Sequence, residues 1–140
     1  MEKKNRILIV DDNDNIREVL QAMLESLGYK TETASDGFEA LAKLVFDIDL
    51  ILCDIIMPGM DGFEVVQAIR SQEDYKDIPI IMVTGLSSRE DRIRAVEAGA
   101  NDFIAKPIDL TEIKVRIRSL LKMTKAQDDL KRHQKELEKT

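Results

Sequence analysis

Short, uninterrupted apolar runs constrain this chain more than any other feature. ILIV at 7–10, LILC at 50–53 and IIMV at 80–83 show no polar/apolar alternation. Each therefore needs cover on both faces, which a parallel sheet flanked by helices provides. With two weaker runs, the predicted strands are Arg6–Val10, Lys30–Thr33, Leu50–Cys53, Pro79–Val83 and Asp102–Ala105. A helical pattern follows every one. Start signals at capping-box spacing stand before these helices: Asn15 with Glu18, Asp36 with Glu39, Asp61 with Glu64, Ser87 with Glu90, and Asp109 with Glu112. Gly28 and Gly99 stand after the first and fourth helices, where a left-handed residue ends a helix without a Cβ penalty. The expected fold is α/β, a doubly wound five-stranded parallel sheet of flavodoxin-like (βα)5 order. In such folds ligands bind outside the carboxyl ends of the strands.

The last helix reads as longer than the body needs. Leu110, Ile113, Ile117, Leu120 and Thr124 share one helical face, and the pattern then continues with Leu130 and Leu137 seven apart. The expected division is a domain over 1–124 and a helical extension over 125–140, about 24 Å of additional helix. The extension suits a connector to an output domain or a dimerising stalk. Gln127 and Gln134 at the seam positions weaken the coiled-coil pattern.

Charge and composition narrow the function. A chain of 140 residues suits one compact domain, and 44% apolar residues suffice for a core. Net charge is −6, but residues 110–140 carry +4, which leaves −10 on the first 109. With no Trp and only 4% aromatic residues, the acidic body offers little to phosphates or bases, which disfavours direct nucleic-acid binding. Cys53 is the lone cysteine and His133 the lone histidine, so neither an internal disulfide nor a His/Cys zinc site can form. MEKKNR leads into only four strongly apolar residues, and no apolar run approaches membrane-spanning length. A cytoplasmic location without membrane contact is the expectation.

The residues at the strand ends carry the chemistry. Asp11 and Asp12 follow the first strand, Asp54 the third, Thr84 the fourth and Lys106 the fifth, so all five should meet on one rim. Carboxylates 4 Å apart repel by about 4 kcal/mol per pair at an effective dielectric near 20, so three of them need compensation. A divalent cation held by carboxylate oxygens suits Mg²⁺, whereas Zn²⁺ favours His or Cys. With Mg²⁺ and Lys106 the formal charges cancel. Metal, ammonium and hydroxyl around one carboxylate suit phosphoryl transfer, because they stabilise the equatorial oxygens. Asp54, alone on the central strand, is the expected nucleophile. Thr84 and Lys106 would bind the phosphoryl oxygens.

The segments LIVDD, LILCDIIMPGMDGFE, IIMVTG and DFIAKP together resemble the receiver domain of bacterial response regulators, over about residues 5 to 122. The resemblance implies a two-component phosphoacceptor whose Asp54 accepts a phosphoryl group from a histidine kinase or phosphotransfer protein. It implies Mg²⁺ held by Asp12, Asp54 and the Ile56 main-chain carbonyl, with Asp11 holding metal-bound water. It further implies phosphoryl contacts from Thr84 and Lys106, a cis Lys106–Pro107 peptide, and a conformational switch through Thr84 and Phe103. The switch would remake the face of the fourth helix, fifth strand and fifth helix. That face, or the C-terminal helix, could pair two copies; other expected partners are a downstream effector or a fused output domain. Ile56 and Leu86 would flank the water that attacks the acyl phosphate, and two apolar residues there predict slow self-dephosphorylation. Such a chain is not an enzyme with a turned-over substrate; its chemistry is confined to its own phosphorylation and dephosphorylation.

Other readings of these residues are weaker. Asp11 and Asp12 could cap a helix, yet Asn13, Asp14 and Asn15 already supply acceptors. DNDN suggests an EF-hand, but neither its sixth-position glycine nor its twelfth-position glutamate follows. Cys53, Met57 and Met60 read as packing residues. A haloacid-dehalogenase-like phosphatase could use Asp12 as nucleophile, with Asp14 as acid; it lacks a later acidic motif and leaves Asp54 unexplained. A receiver-like binding module that is never phosphorylated typically loses an acid, the threonine or the lysine, and none is missing here.

Overall fold

The computed structural model describes residues 4–85 and 88–138. Five strands and five helices alternate: β1 Arg6–Val10, α1 Asp14–Ser26, β2 Lys30–Ala34, α2 Gly37–Lys43, β3 Leu50–Cys53, α3 Gly62–Arg70, β4 Ile80–Thr84, α4 Arg89–Ala98, β5 Asp102–Ala105 and α5 Leu110–Glu138. The strands form one sheet in the order β2-β1-β3-β4-β5, and every pairing is parallel. This is the doubly wound fold expected from the apolar runs.

Strand pleating divides the core in two. Leu8, Val10, Ile51, Cys53, Ile80 and Met82 point to one face, where α3 contributes Phe63, Val65, Val66 and Ile69, α2 contributes Ala40, and α4 contributes Ala95 and Ala98. The alternate residues Ile7, Ile9, Leu50, Leu52, Ile81 and Val83 face Leu20 and Leu24 of α1 and Ile113, Ile117 and Leu120 of α5. Every side chain of β3 and β4 is buried, and all but the terminal Thr84 of β4 are apolar. Edge strand β2, KTETA, has only its last residue buried, and its charged residues blunt the edge.

Strand boundaries match the sequence expectation within one residue. β4 begins at Ile80 rather than Pro79: proline has no N–H for the ladder, although its carbonyl accepts from Ile51 N at 2.9 Å. β2 runs one residue further, to Ala34.

Two helix starts differ from the sequence reading. Asn13, not Asn15, caps α1, its side chain accepting from Ile16 N at 3.1 Å. Asn15 lies inside the first turn, where its backbone is already helical. Ser88 caps α4 by accepting from Asp91 N at 3.1 Å; Ser87 lies outside the described residues. The other three starts hold. Asp61 and Glu64 form a full capping box on α3, Asp36 accepts from Glu39 N at 2.8 Å, and Asp109 accepts from Thr111 N at 3.1 Å. Gly28 and Gly99 both have positive φ, at 94° and 112°.

α5 passes residue 124 without interruption and reaches Glu138. Ile113, Ile117 and Leu120 are buried as expected, whereas Leu110 is exposed. Beyond the body the helix is exposed throughout. Lys131 pairs there with Asp77, in the loop before β4, at 2.9 Å. Among the described residues no helix is long and apolar enough to cross a membrane.

Gly62 is needed for close approach rather than for unusual backbone angles. A Cβ there would lie 2.2 Å from the Asp54 carbonyl oxygen and 2.7 Å from Ile55 Cα. Both are backbone atoms that cannot swing aside. Gly62→Ala should cost about 3 kcal/mol, read as a lower urea midpoint at unchanged slope. Gly85→Ala, where a Cβ meets nothing within 4 Å, should move the midpoint far less.

Candidate functional site

Three strands hand their next residues to one rim through continuations of the sheet's hydrogen bonding. Val10 is in register with Cys53. One residue on, Asp54 N donates to Val10 O at 2.9 Å and Asp11 N donates to Ala34 O at 3.1 Å. On the far side Lys106 N donates to Thr84 O at 2.8 Å. Asp11 and Asp54 thus flank the gap between β1 and β3, where the strand order reverses and open α/β sheets place their ligands.

Asp11, Asp54 and Thr84 are the buried polar or charged residues among those described. Lys106 Nζ lies 3.0 Å from Asp11 Oδ2 and 3.5 Å from Asp54 Oδ2. The other oxygens of these carboxylates are held by main chain: Asp54 Oδ1 accepts from Ile55 N at 2.8 Å and Asp11 Oδ1 accepts from Asn13 N at 2.9 Å. The Lys106–Pro107 peptide is cis, as the family resemblance implied.

Asp11, Asp12 and Asp54 each offer a carboxylate oxygen, all within 4.8 Å of one another. This donor set fits a hard divalent cation. It is all oxygen, one member is exposed to a solvent that can complete the shell, and neither imidazole nor thiolate is at hand. Cys53 is fully buried and its thiol is driven far above its ordinary range, by burial first and by Asp54, Asp11 and Asp61 next. It belongs to the core, as do Met57 and the partly buried Met60.

Burial raises the pKa of Asp54 above the ordinary carboxylate value, and the neighbouring Asp11 raises it further; Lys106 and the Ile55 N–H offset part of the effect. Lys106 thus offsets only part of the cost of charging Asp54. A bound cation would supply further positive charge to these acids.

The remaining expected residues take different positions. Thr84 is buried at the last position of β4. Phe103 in β5 is half-buried against the core face shared with α3 and α4. Ile56 stands on the loop after Asp54 and is 59% exposed. Leu86 lies outside the described residues.

Sequence reasoning missed two contributors. Gly62 lets the start of α3 pack on the Asp54 carbonyl, and its N–H donates to Ile55 O at 2.8 Å. Arg17 donates from Nη1 to the Asp11 carbonyl oxygen at 2.7 Å. Its three-residue spacing from Asp14 was a visible pairing signal, but nothing in the sequence points to a backbone oxygen.

Known proteins are similar to this chain in sequence and fold. A probable transcriptional regulator, ycf27 of Cyanophora paradoxa, is 44% identical over 124 residues, covering 86% of this chain and 50% of that protein. Response regulator PleD of Caulobacter vibrioides is 41% identical over 130 residues, covering 92% of this chain and 29% of PleD. This chain thus spans half or less of these relatives. Among solved structures, the Vibrio cholerae chemotaxis protein CheY4 superposes with a TM-score of 0.80 at 37% identity, covering 84% of this chain and 99% of CheY4. A CheY-like receiver domain protein from Methanospirillum hungatei gives 0.82 at 32% identity, covering 89% and 99%. Residues 7–118 match the family model of the response regulator receiver domain, and with the acid rim and its lysine at the strand ends, the chain belongs to the receiver family of two-component signalling.

Proposed function

We propose that Asp54 is the phosphoacceptor of this receiver. The observation that carries the proposal is the convergence of Asp54 with Asp11, Asp12 and Lys106 at the reversal of strand order. In the reaction an Asp54 carboxylate oxygen attacks the phosphorus of a phosphohistidine. The P–N bond breaks, the P–O bond forms, and the imidazole leaves. Asp12, Asp54 and the Ile56 main-chain carbonyl would hold a Mg²⁺ ion, with Asp11 on metal-bound water, and such an ion would supply positive charge for the phosphoryl oxygens. Lys106, already between Asp11 and Asp54, neutralises a further oxygen, and Thr84 provides the hydroxyl opposite.

Phosphorylation adds about −1 to −1.5 net charge at a buried position. Movement of Thr84 toward it vacates space into which the half-buried Phe103 turns, remaking the α4-β5-α5 face. Residues 1–124 form the receiver and 125–140 a helical extension that passes the signal on. The partners are a histidine kinase or phosphotransfer protein and an output domain or effector, in keeping with relatives named as transcriptional regulators. Exposed Ile93 and Val96 on α4, and Met123 and Leu130 on α5, support pairing of two copies through that face or through the helix.

A phosphatase using Asp12 has less support, since Lys106 sits against Asp11 and Asp54 and not against Asp12. Intact-mass analysis after incubation with acetyl phosphate separates the readings. Wild type should gain one phosphoryl adduct with Mg²⁺ and none in EDTA, and Asp54→Asn should gain none. An adduct that persists in Asp54→Asn returns the nucleophile to Asp12, and no adduct on wild type favours a binding module that is never phosphorylated. In the same assay the wild-type adduct should be long-lived, and Ile56→Asn should shorten its lifetime several-fold by orienting the attacking water.

The raised pKa of Asp54 also gives a stability prediction. The folded chain binds this proton more tightly than the unfolded chain does. The resulting stabilisation is complete below the ordinary carboxylate pKa and is lost as pH rises through the higher folded value. Without divalent cations, Asp54→Asn should therefore melt above wild type at pH 7. The gap should close toward pH 4. A constant difference across that range would show that the charge of Asp54 is not its source.

A further inference from the structure

The three acids of the rim are not held alike. Asp11 has both oxygens tied, to Asn13 N and to Lys106. Asp54 is tied to Ile55 N and Lys106. The carboxylate of Asp12 makes no hydrogen bond or ion pair among the described residues, and it is exposed. Its placement beside the other two therefore depends on the backbone from which it hangs.

That backbone has left the sheet. β1 ends at Val10, and the Asp11 carbonyl is the first beyond the strand. Arg17 supplies its partner, with Nη1 donating at 2.7 Å. The Asp11 C=O and the Asp12 N–H belong to one planar peptide unit, so fixing the oxygen fixes the plane that carries Asp12. Arg17 is well built to do this. Its own N–H donates to Asn13 O at 3.1 Å in the first turn of α1, its Nη2 is paired with Asp14, and its side chain is only 17% exposed.

We infer that Arg17 is a positioning residue for the cation site, acting on Asp12 through the Asp11–Asp12 peptide rather than by touching the ion. The inference rests on the reading of Asp11, Asp12 and Asp54 as that site. Lysine keeps the charge of arginine but gathers its donors on one nitrogen, so it does not reproduce the planar fork that meets carbonyl and carboxylate from two separate nitrogens.

Calorimetric titration of the full chain with MgCl₂ tests this, with thermal melting in EDTA alongside. Arg17→Gln should weaken Mg²⁺ binding by about tenfold, the lower end for outer partners of metal ligands, and Arg17→Lys should recover little of it. Asp14→Asn, which spares the carbonyl bond, should change the affinity less than about twofold. In an Asp12→Asn background Arg17→Gln should add almost nothing, a result that general loosening of the fold would not give. Wild-type affinity in Arg17→Gln overturns the inference, as does full recovery by lysine, which would assign the effect to charge alone. Equal losses with and without Asp12 also overturn it. If wild type itself takes up no Mg²⁺, the cation-site reading fails and this inference with it.

Discussion

Everything at the rim depends on the parallel registration of β1 with β3. Val10 lies opposite Cys53, so the next residue on each strand, Asp11 and Asp54, leaves the sheet at the same height. Main-chain bonds from Asp54 N to Val10 O and from Asp11 N to Ala34 O carry the ladder one step past the strands. Two carboxylates are thereby fixed close together in a buried place, an arrangement like charges resist. A slip of one residue would turn every side chain of a strand to the opposite face. It would also bring the apolar residues of both cores into conflict with their helices. The hydrophobic packing thus enforces the electrostatic crowding.

That crowding gives the site its chemistry. Burial and Asp11 make the charged form of Asp54 costly, and Lys106 relieves part of the cost. A group in this state is favoured by added positive charge beside it. The donor set fits a hard cation, Lys106 lies against two of its three acids, and Thr84 is buried at the end of β4. Phosphoryl transfer would add negative charge to this place, so the chemistry depends on the positive groups gathered round it.

The elements around the rim are placed by contacts of very different strength. α3 is brought onto the Asp54 turn by the absence of a side chain at Gly62, which leaves room for direct contact with backbone. The loop beyond α3 is held by Arg70, whose guanidinium reaches Gly99 O, Ile78 O and Asn101 Oδ1. Arg94 of α4 lies over the Phe63 ring of α3 at 4.2 Å. By comparison α4 buries only Ala95 and Ala98. A helix with so small an apolar footing has little to lose by shifting, which suits the face assigned to signalling.

The sequence by itself determined the sheet, the alternation of elements and the residues at the strand ends. Runs such as ILIV and LILC admit only a doubly covered strand, and a residue following a strand must emerge at its carboxyl end. It also made Cys53 a core residue and left the body acidic. It misplaced the caps of α1 and α4 because several Asn, Asp and Ser residues compete there and only backbone conformation selects among them. Tertiary structure alone decided that Lys106 sits against Asp11 and Asp54, that Gly62 touches the Asp54 carbonyl, and that Arg17 holds the peptide bearing Asp12. The reason is common to all three. Each contact ends on a backbone atom, or on a partner distant in sequence, and side-chain pattern carries no information about where a carbonyl will point.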